Sequence, residues 1–190
     1  MQLENKTDRV IMGIDPGTNI MGYGLIHVKG TKVELIHMDI ITLTKLSTHA
    51  LKLKSIFEQT GLVIEKYKPD EVALEAPFFG KNVQSMLKLG RAQGIAMAAA
   101  LHRNLPVFEY SPRKIKQSIT GKGTSSKEQV ASMLQRVLSI TAMPAKLDAT
   151  DALAVAMCHY FQNKISSGLK EKKYNSWESF VSDNAGRIKN

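Results

Sequence analysis

Apolar runs of strand length come first in this chain: Val10–Asp15, Met21–Val28 and Val33–Ile41. Pro16-Gly17 and Gly30-Thr31-Lys32 separate them, and connections this short predict an antiparallel meander. The period then lengthens to that of a helix. Ser47 is read as a cap for a helix reaching about Tyr67, with Leu51, Ile56, Leu62 and Val63 as core candidates, and Lys68-Pro69-Asp70 stops it. Glu71–Glu75 is a short buried strand ending just before Pro77. Asn82–Arg103, rich in Ala and Leu, is a second helix whose Gly90 and Gly94 leave a small face for close approach, and Pro106–Glu109 is a fifth strand.

Beyond it the pattern predicts a basic turn region over Ser111–Gly123, a helix over Ser126–Leu138, and a last helix that Lys146 precedes and that runs to about Phe161. Ser166-Ser167-Gly168 is expected to interrupt any further helix. Residues 163–190 then read as a polar, loosely held tail in which Trp177, Phe180 and Val181 are docking candidates. The expected fold is α/β: a mixed five-stranded sheet, an antiparallel meander followed by parallel strands, with helices on both faces. One domain over 1–162 and a tail over 163–190 complete the expected layout.

In such a sheet, functional groups gather at strand ends along one edge. Asp15 ends the first strand and Glu75 the fourth; if those strands are parallel neighbours, the two carboxylates lie side by side. Asp15 has a plainer reading, since Asp-Pro-Gly is turn chemistry on its own. Glu75 could equally mark a strand end at the surface. Asp148 and Asp151 share one helical face, which continues through the apolar Val155 and Cys158 and is expected to pack on the sheet. Their plainer reading is a capping-box mimic. Four carboxylates meeting at one edge raise each other's pKa and need compensating charge. Oxygen donors of this kind suit Mg²⁺ or Mn²⁺, and no His/Cys spacing points to zinc.

Charge sharpens this picture. With 26 Lys+Arg against 17 Asp+Glu the chain carries a formal +9, and residues 163–190 supply only six basic and three acidic of these. The body is basic without its tail, which favours a polyanionic partner such as nucleic acid. One cysteine, Cys158, excludes an internal disulfide framework and fits a reducing compartment. The first residues lack an apolar signal core, and no apolar run is long enough to span a membrane. A cytoplasmic protein without membrane contact is expected.

Gly13-Ile14-Asp15-Pro16-Gly17-Thr18, the Leu74-Glu75 strand end, Lys88-Leu89-Gly90-Arg91-Ala92-Gln93-Gly94 and Asp148-Ala149-Thr150-Asp151-Ala152-Leu153-Ala154 occur here in unbroken order. As an ordered set they resemble the RuvC family of Holliday junction resolvases, over about residues 10–162. The resemblance implies an RNase H-like fold and a homodimer that resolves four-way DNA junctions by paired symmetric nicks in recombination and repair. It also implies Mg²⁺, with Mn²⁺ as a substitute, at two ions per site, and a branch-migration complex as a further partner. By position, Asp15, Glu75, Asp148 and Asp151 match the family's four metal-binding catalytic acids.

The same resemblance implies DNA contacts. Phe78, between strand and helix beside Gly80, Lys81 and Asn82, matches a position that stacks on bases at an opened junction. Phe79 is expected in the core. Arg113, Lys116, Lys122 and Lys127 fall in the Ser111–Lys127 region that resembles the family's substrate-binding segment, and Gly121 and Gly123 would let backbone approach phosphate. No chemistry is assigned to the five histidines. Asp-Pro-Gly-Thr is also similar to the phosphate-binding hairpin of actin-like ATPases, but those have two lobes and this chain has room for one. The remaining alternatives are an RNase H-like or YqgF-like nuclease acting on a simpler nucleic acid, and a DNA-binding module without catalysis.

Overall fold

The computed structural model describes residues 8–77, 82–144 and 146–168, with side chains described as far as Asn163. Phe78, Phe79 and Lys81 lie outside the described residues, as do Trp177, Phe180 and Val181.

Strands β1 (Asp8–Asp15), β2 (Ile20–Lys29) and β3 (Lys32–Thr42) form the expected meander. Helix α1 (His49–Tyr67) leads to β4 (Glu71–Glu75), and α2 (Val83–Leu101) to β5 (Val107–Tyr110). The sheet order is β3-β2-β1-β4-β5, with β2 antiparallel to both β1 and β3, and β4 parallel to both β1 and β5. Three helices follow: α3 (Pro112–Thr120), α4 (Lys127–Val137) and α5 (Leu147–Gly168).

Strand pleating divides the core between the two faces. Met12, Ile14, Val72 and Leu74 pack with Ile56, Ala92 and Ala96 of α1 and α2. Ile11 and Ala73 point the other way, to Leu153, Ala156 and Met157 of α5 and to Val130 and Leu134 of α4. On that second face His159 is fully buried, and its ring nitrogens meet Glu71 Oε2 at 2.8 Å and the Tyr110 hydroxyl at 2.7 Å. It is a satisfied core histidine.

Several local expectations are corrected. Thr48, not Ser47, caps α1, its side chain accepting from the Leu51 amide. Ile56 and Val63 are buried, whereas Leu51 and Leu62 are 45% and 55% exposed. The inward stripe of α1 runs Ile56, Thr60, Val63, Ile64, and both leucines fall off that phase. Ser111–Gly123 is not one irregular loop. Ser111 caps α3 by accepting from the Lys114 amide, Pro112 sits at the helix start, and Gly121 closes it at φ +79°. Finally, α5 passes Phe161 and runs to Gly168, so Ser166 and Ser167 do not break it. Propagating an established helix adds one hydrogen bond per residue, which outweighs the weak helix propensity of two serines.

Candidate active site

β1 and β4 pair in parallel register, Ile14 beside Leu74, so their last residues, Asp15 and Glu75, emerge together at one edge. Alternation sends both side chains to the face that carries α5, because Ile11 and Ala73 share their parity and pack there. The sheet brings this pair together as its topology predicts.

Glycines bring the other two acids. A Cβ on Gly22 would stand 2.0 Å from the Asp148 carbonyl oxygen, and one on Gly13 would stand 2.1 Å from that of Ala152. One on Gly24 would lie 2.8 Å from Leu153 Cα. These three positions form a floor without side chains on which the backbone of α5 rests directly. The helix start is thereby pressed against the end of β1 and the start of β2, and Asp148 and Asp151 stand at the rim, half-buried. Val155 and Cys158, further along the same helical face, are fully buried.

Electrostatics tie the four acids into one group. Burial, then the negative charges of Glu75 and Asp151, push the Asp15 carboxyl up to about 8, with Asp148 adding to the rise. Burial and Asp151 raise Glu75 to about 7, while Lys127 and Lys116 act against the rise. The Lys127 ammonium bonds to Asp151 Oδ2. Burial opposes the charge on Lys127, but that bond and the charges of Asp151, Asp15 and Asp148 more than offset it, and its pKa is raised. Among the described residues no three His, Cys, Asp or Glu side chains already stand in a ligating arrangement. The donor set nonetheless fits a hard divalent cation: every donor is a carboxylate oxygen, and two carboxyls need added positive charge in order to ionise together.

The expected DNA contacts divide. Lys116 is half-buried on α3 and its charge reaches Glu75, whereas Arg113 and Lys122 are exposed nearby. Asn82 is the N-cap of α2, its Oδ1 accepting from the Ser85 amide at 3.0 Å. Gly123 does not present open backbone on the side where a Cβ would stand, since a Cβ there would lie 2.5 Å from Arg113 Cγ. Gln93 stands in a motif of the sequence but was given no role there. It is buried, donates to Glu109 Oε2 at 2.8 Å and more weakly to the Glu75 carbonyl at 3.4 Å. With Asp15, Pro16, Glu75 and Leu89 it lines a cleft of about 120 Å³ at the rim. A larger groove of about 940 Å³, between the β2–β3 turn and the α4–α5 connection, contains none of the acids.

Comparison with known proteins identifies the family. Residues 11–159 match the family model of the crossover junction endodeoxyribonuclease RuvC. The chain is 57% identical to the protein of that name from Cytophaga hutchinsonii, covering 96% of this chain and 89% of the relative. It is 56% identical to the one from Bacteroides fragilis, covering 96% and 97%. Among solved structures, T. thermophilus RuvC in complex with a Holliday junction substrate superposes with a TM-score of 0.77 at 31% identity, covering 84% of this chain and 97% of that one. The fold is therefore the RNase H-like one, and the chain belongs to the RuvC family of crossover junction endodeoxyribonucleases.

Proposed function

We propose that Asp15, Glu75, Asp148 and Asp151 form the hydrolytic site with which this endodeoxyribonuclease resolves four-way DNA junctions by paired symmetric nicks. The observation that carries the reading is the joint delivery of the acids to one rim, two by parallel strand register and two by the glycine floor beneath α5. When bound at these carboxylates, two Mg²⁺ ions, or Mn²⁺ in their place, supply charge that eases deprotonation of the attacking water and stabilises the departing 3′-oxygen. The protein's part is placement and charge. Burial and repulsion among the acids raise Asp15 to about 8 and Glu75 to about 7, so positive charge at the rim would favour their ionised forms. Lys127, fixed by Asp151, puts an ammonium where the scissile phosphate approaches, and Lys116 adds a second. Arg113 and Lys122 extend this basic edge along the backbone of the junction, and the products are a 5′-phosphate and a 3′-hydroxyl.

Symmetric nicking asks for two sites related by a two-fold axis. The outer face of α2 supports such a dimer: Val83, Leu87 and Leu101 are 64%, 52% and 55% exposed. On the same face a Cβ on Gly90 or Gly94 would meet nothing within 4 Å, which leaves room for a second helix. Family membership supports Phe78 and Lys81 as contacts at the junction centre, Asn82 beside them, and a branch-migration complex as a further partner. No helix among the described residues is long and apolar enough to cross a membrane. A DNA substrate and a lone buried cysteine support a cytoplasmic location. Incubating four-way junctions, hairpins and RNA–DNA hybrids with the protein, with Mg²⁺ present or chelated, tests the reading. Paired nicks confined to four-way junctions with Mg²⁺ are expected; preferential cutting of hybrids or hairpins would overturn it.

A further inference from the structure

The lysines beside the acids on the α5 face have a counterpart on the opposite face of the sheet. Lys52 of α1 donates from Nζ to Asn19 Oδ1 at 2.8 Å, and the Asn19 carbonyl accepts from the Leu43 amide at 2.8 Å. Asn19 closes the turn that starts directly after Asp15, so Lys52 is tied to the hairpin that carries this acid. From α2, Leu89 and Gln93 line the cleft shared with Asp15 and Glu75. Lys88 and Arg91 belong to the same turns of that helix and are both exposed. His49, the first residue of α1, has a buried Nε2 without a hydrogen-bond partner among the described residues.

We propose that His49, Lys52, Lys88 and Arg91 form a second phosphate-binding cluster, which grips the DNA backbone on the α1/α2 side of the acid rim. The inference rests on the reading that the rim cuts DNA, and it adds the direction in which the strand leaves the site. The charges acting on His49 come from Arg91, Lys88 and Lys52, and all three are positive. Burial and these cations hold the imidazole below its usual pKa, and its unpartnered Nε2 is a polar atom that can pair with a phosphate oxygen. Cations assembled around a histidine on which no carboxylate among the described residues acts repel one another, and a polyanion relieves that cost. Among the described residues the side-chain bond of Lys52 goes to a neutral amide, which leaves its charge available to phosphate. Basic groups then stand on both sides of the acids. A strand lying across the rim is held upstream by one set and downstream by the other.

The test is the salt dependence of four-way junction binding by the full chain in chelator, paired with single-turnover cleavage in Mg²⁺ at saturating protein. Removing one cation that neutralises a phosphate lowers the slope of log affinity against log salt by about 0.9. The pair Lys52→Gln with Lys88→Gln is expected to lower that slope by about two and weaken binding roughly tenfold or more, with a smaller loss in the saturated rate. Lys52→Gln alone removes an exposed head group and is expected to lower the slope by about one, so the result does not depend on the double variant folding. Arg91→Gln is assayed together with sedimentation, because Arg91 borders the face proposed to pair two copies. Slopes equal to wild type in both lysine variants overturn the cluster while leaving the acid site standing. A wild-type chain that neither binds nor cuts four-way junctions overturns the functional reading beneath it.

Discussion

Lys127, the first residue of α4, bonds through its ammonium to Oδ2 of Asp151 in the second turn of α5. The contact joins the basic edge to the acid group, and its charge acts on Asp15 and Glu75 as well. Replacing it with a neutral side chain removes the cation and leaves the repulsion. Lys127→Met is expected to lower single-turnover cleavage by about 10²–10³-fold, in the range seen on losing one electrostatic stabiliser, with Lys127→Arg retaining part of the rate. The rising limb of its pH–rate profile is expected to move to higher pH, since Asp15 and Glu75 lose a group that lowers their pKa. Wild-type rates in Lys127→Met would remove the residue from the site.

Stability should depend on pH through Asp15. Its pKa rises from 3.8 to about 8, so the folded chain binds this proton more tightly than the unfolded chain does. The cost of ionisation is absent below the unfolded value, grows as pH rises above it, and is complete above the folded value. In chelator, wild type is expected to lose stability between about pH 4 and about pH 8, and Asp15→Asn to lose less. The variant should be more stable by about 1–3 kcal/mol at the alkaline end, below the full linkage value because the rim is partly solvated. Mg²⁺ should stabilise wild type more at the alkaline end, where the carboxylates are ionised. Urea unfolding across this range checks both statements; parallel pH profiles for the two proteins would contradict them.

The glycine floor makes a steric prediction. Gly22→Ala places a methyl 2.0 Å from the Asp148 carbonyl oxygen, so the helix start has to move. A stability loss of about 1–3 kcal/mol is expected, as for other overpacked sites, together with a fall in cleavage measured at temperatures where the variant is fully folded. Gly13→Ala, against the backbone of Ala152 and Ala156, should behave alike. A Gly22→Ala protein with wild-type rate and stability would show that α5 does not need this close seat.

Gly94 predicts the opposite within a single chain. Nothing lies within 4 Å of a Cβ placed there, so Gly94→Leu should cost the isolated fold nothing and gain up to about 1 kcal/mol of helix propensity. If the α2 face pairs two copies, the same leucine blocks close approach. Sedimentation should then find monomers at concentrations where wild type is dimeric, and an unchanged dimer would place the interface elsewhere.

Much of this was legible in the chain itself. Short turns declared the meander, and Glu71–Glu75 matched its strand at both ends because Lys68-Pro69-Asp70 and Pro77 bound it. Strand ends and helix phase made the four acids candidates, and the resemblance to the RuvC family grouped them as one set. Other features were hidden for physical reasons. Leu51 and Leu62 look like core by composition, and only the phase set by Ile56, Val63 and Ile64 shows that they face outward. Helix α3 had its signals, a capping Ser111 before Pro112 and a closing Gly121, but the dense lysines read as loop. The Lys127–Asp151 bond, the Lys52–Asn19 bond and the role of Gly22 each join segments distant in sequence, and no local pattern encodes such a meeting.

The hydrolysis proposed for the acids at this rim is open to direct test. The most direct measurement is cleavage of a four-way junction in Mg²⁺ by Asp15→Asn and Glu75→Gln, with junction binding followed in parallel. Both variants are expected to fold, to bind the junction at least as well as wild type and to leave it uncut. Mg²⁺-dependent nicking at the wild-type rate by either variant would contradict the proposal.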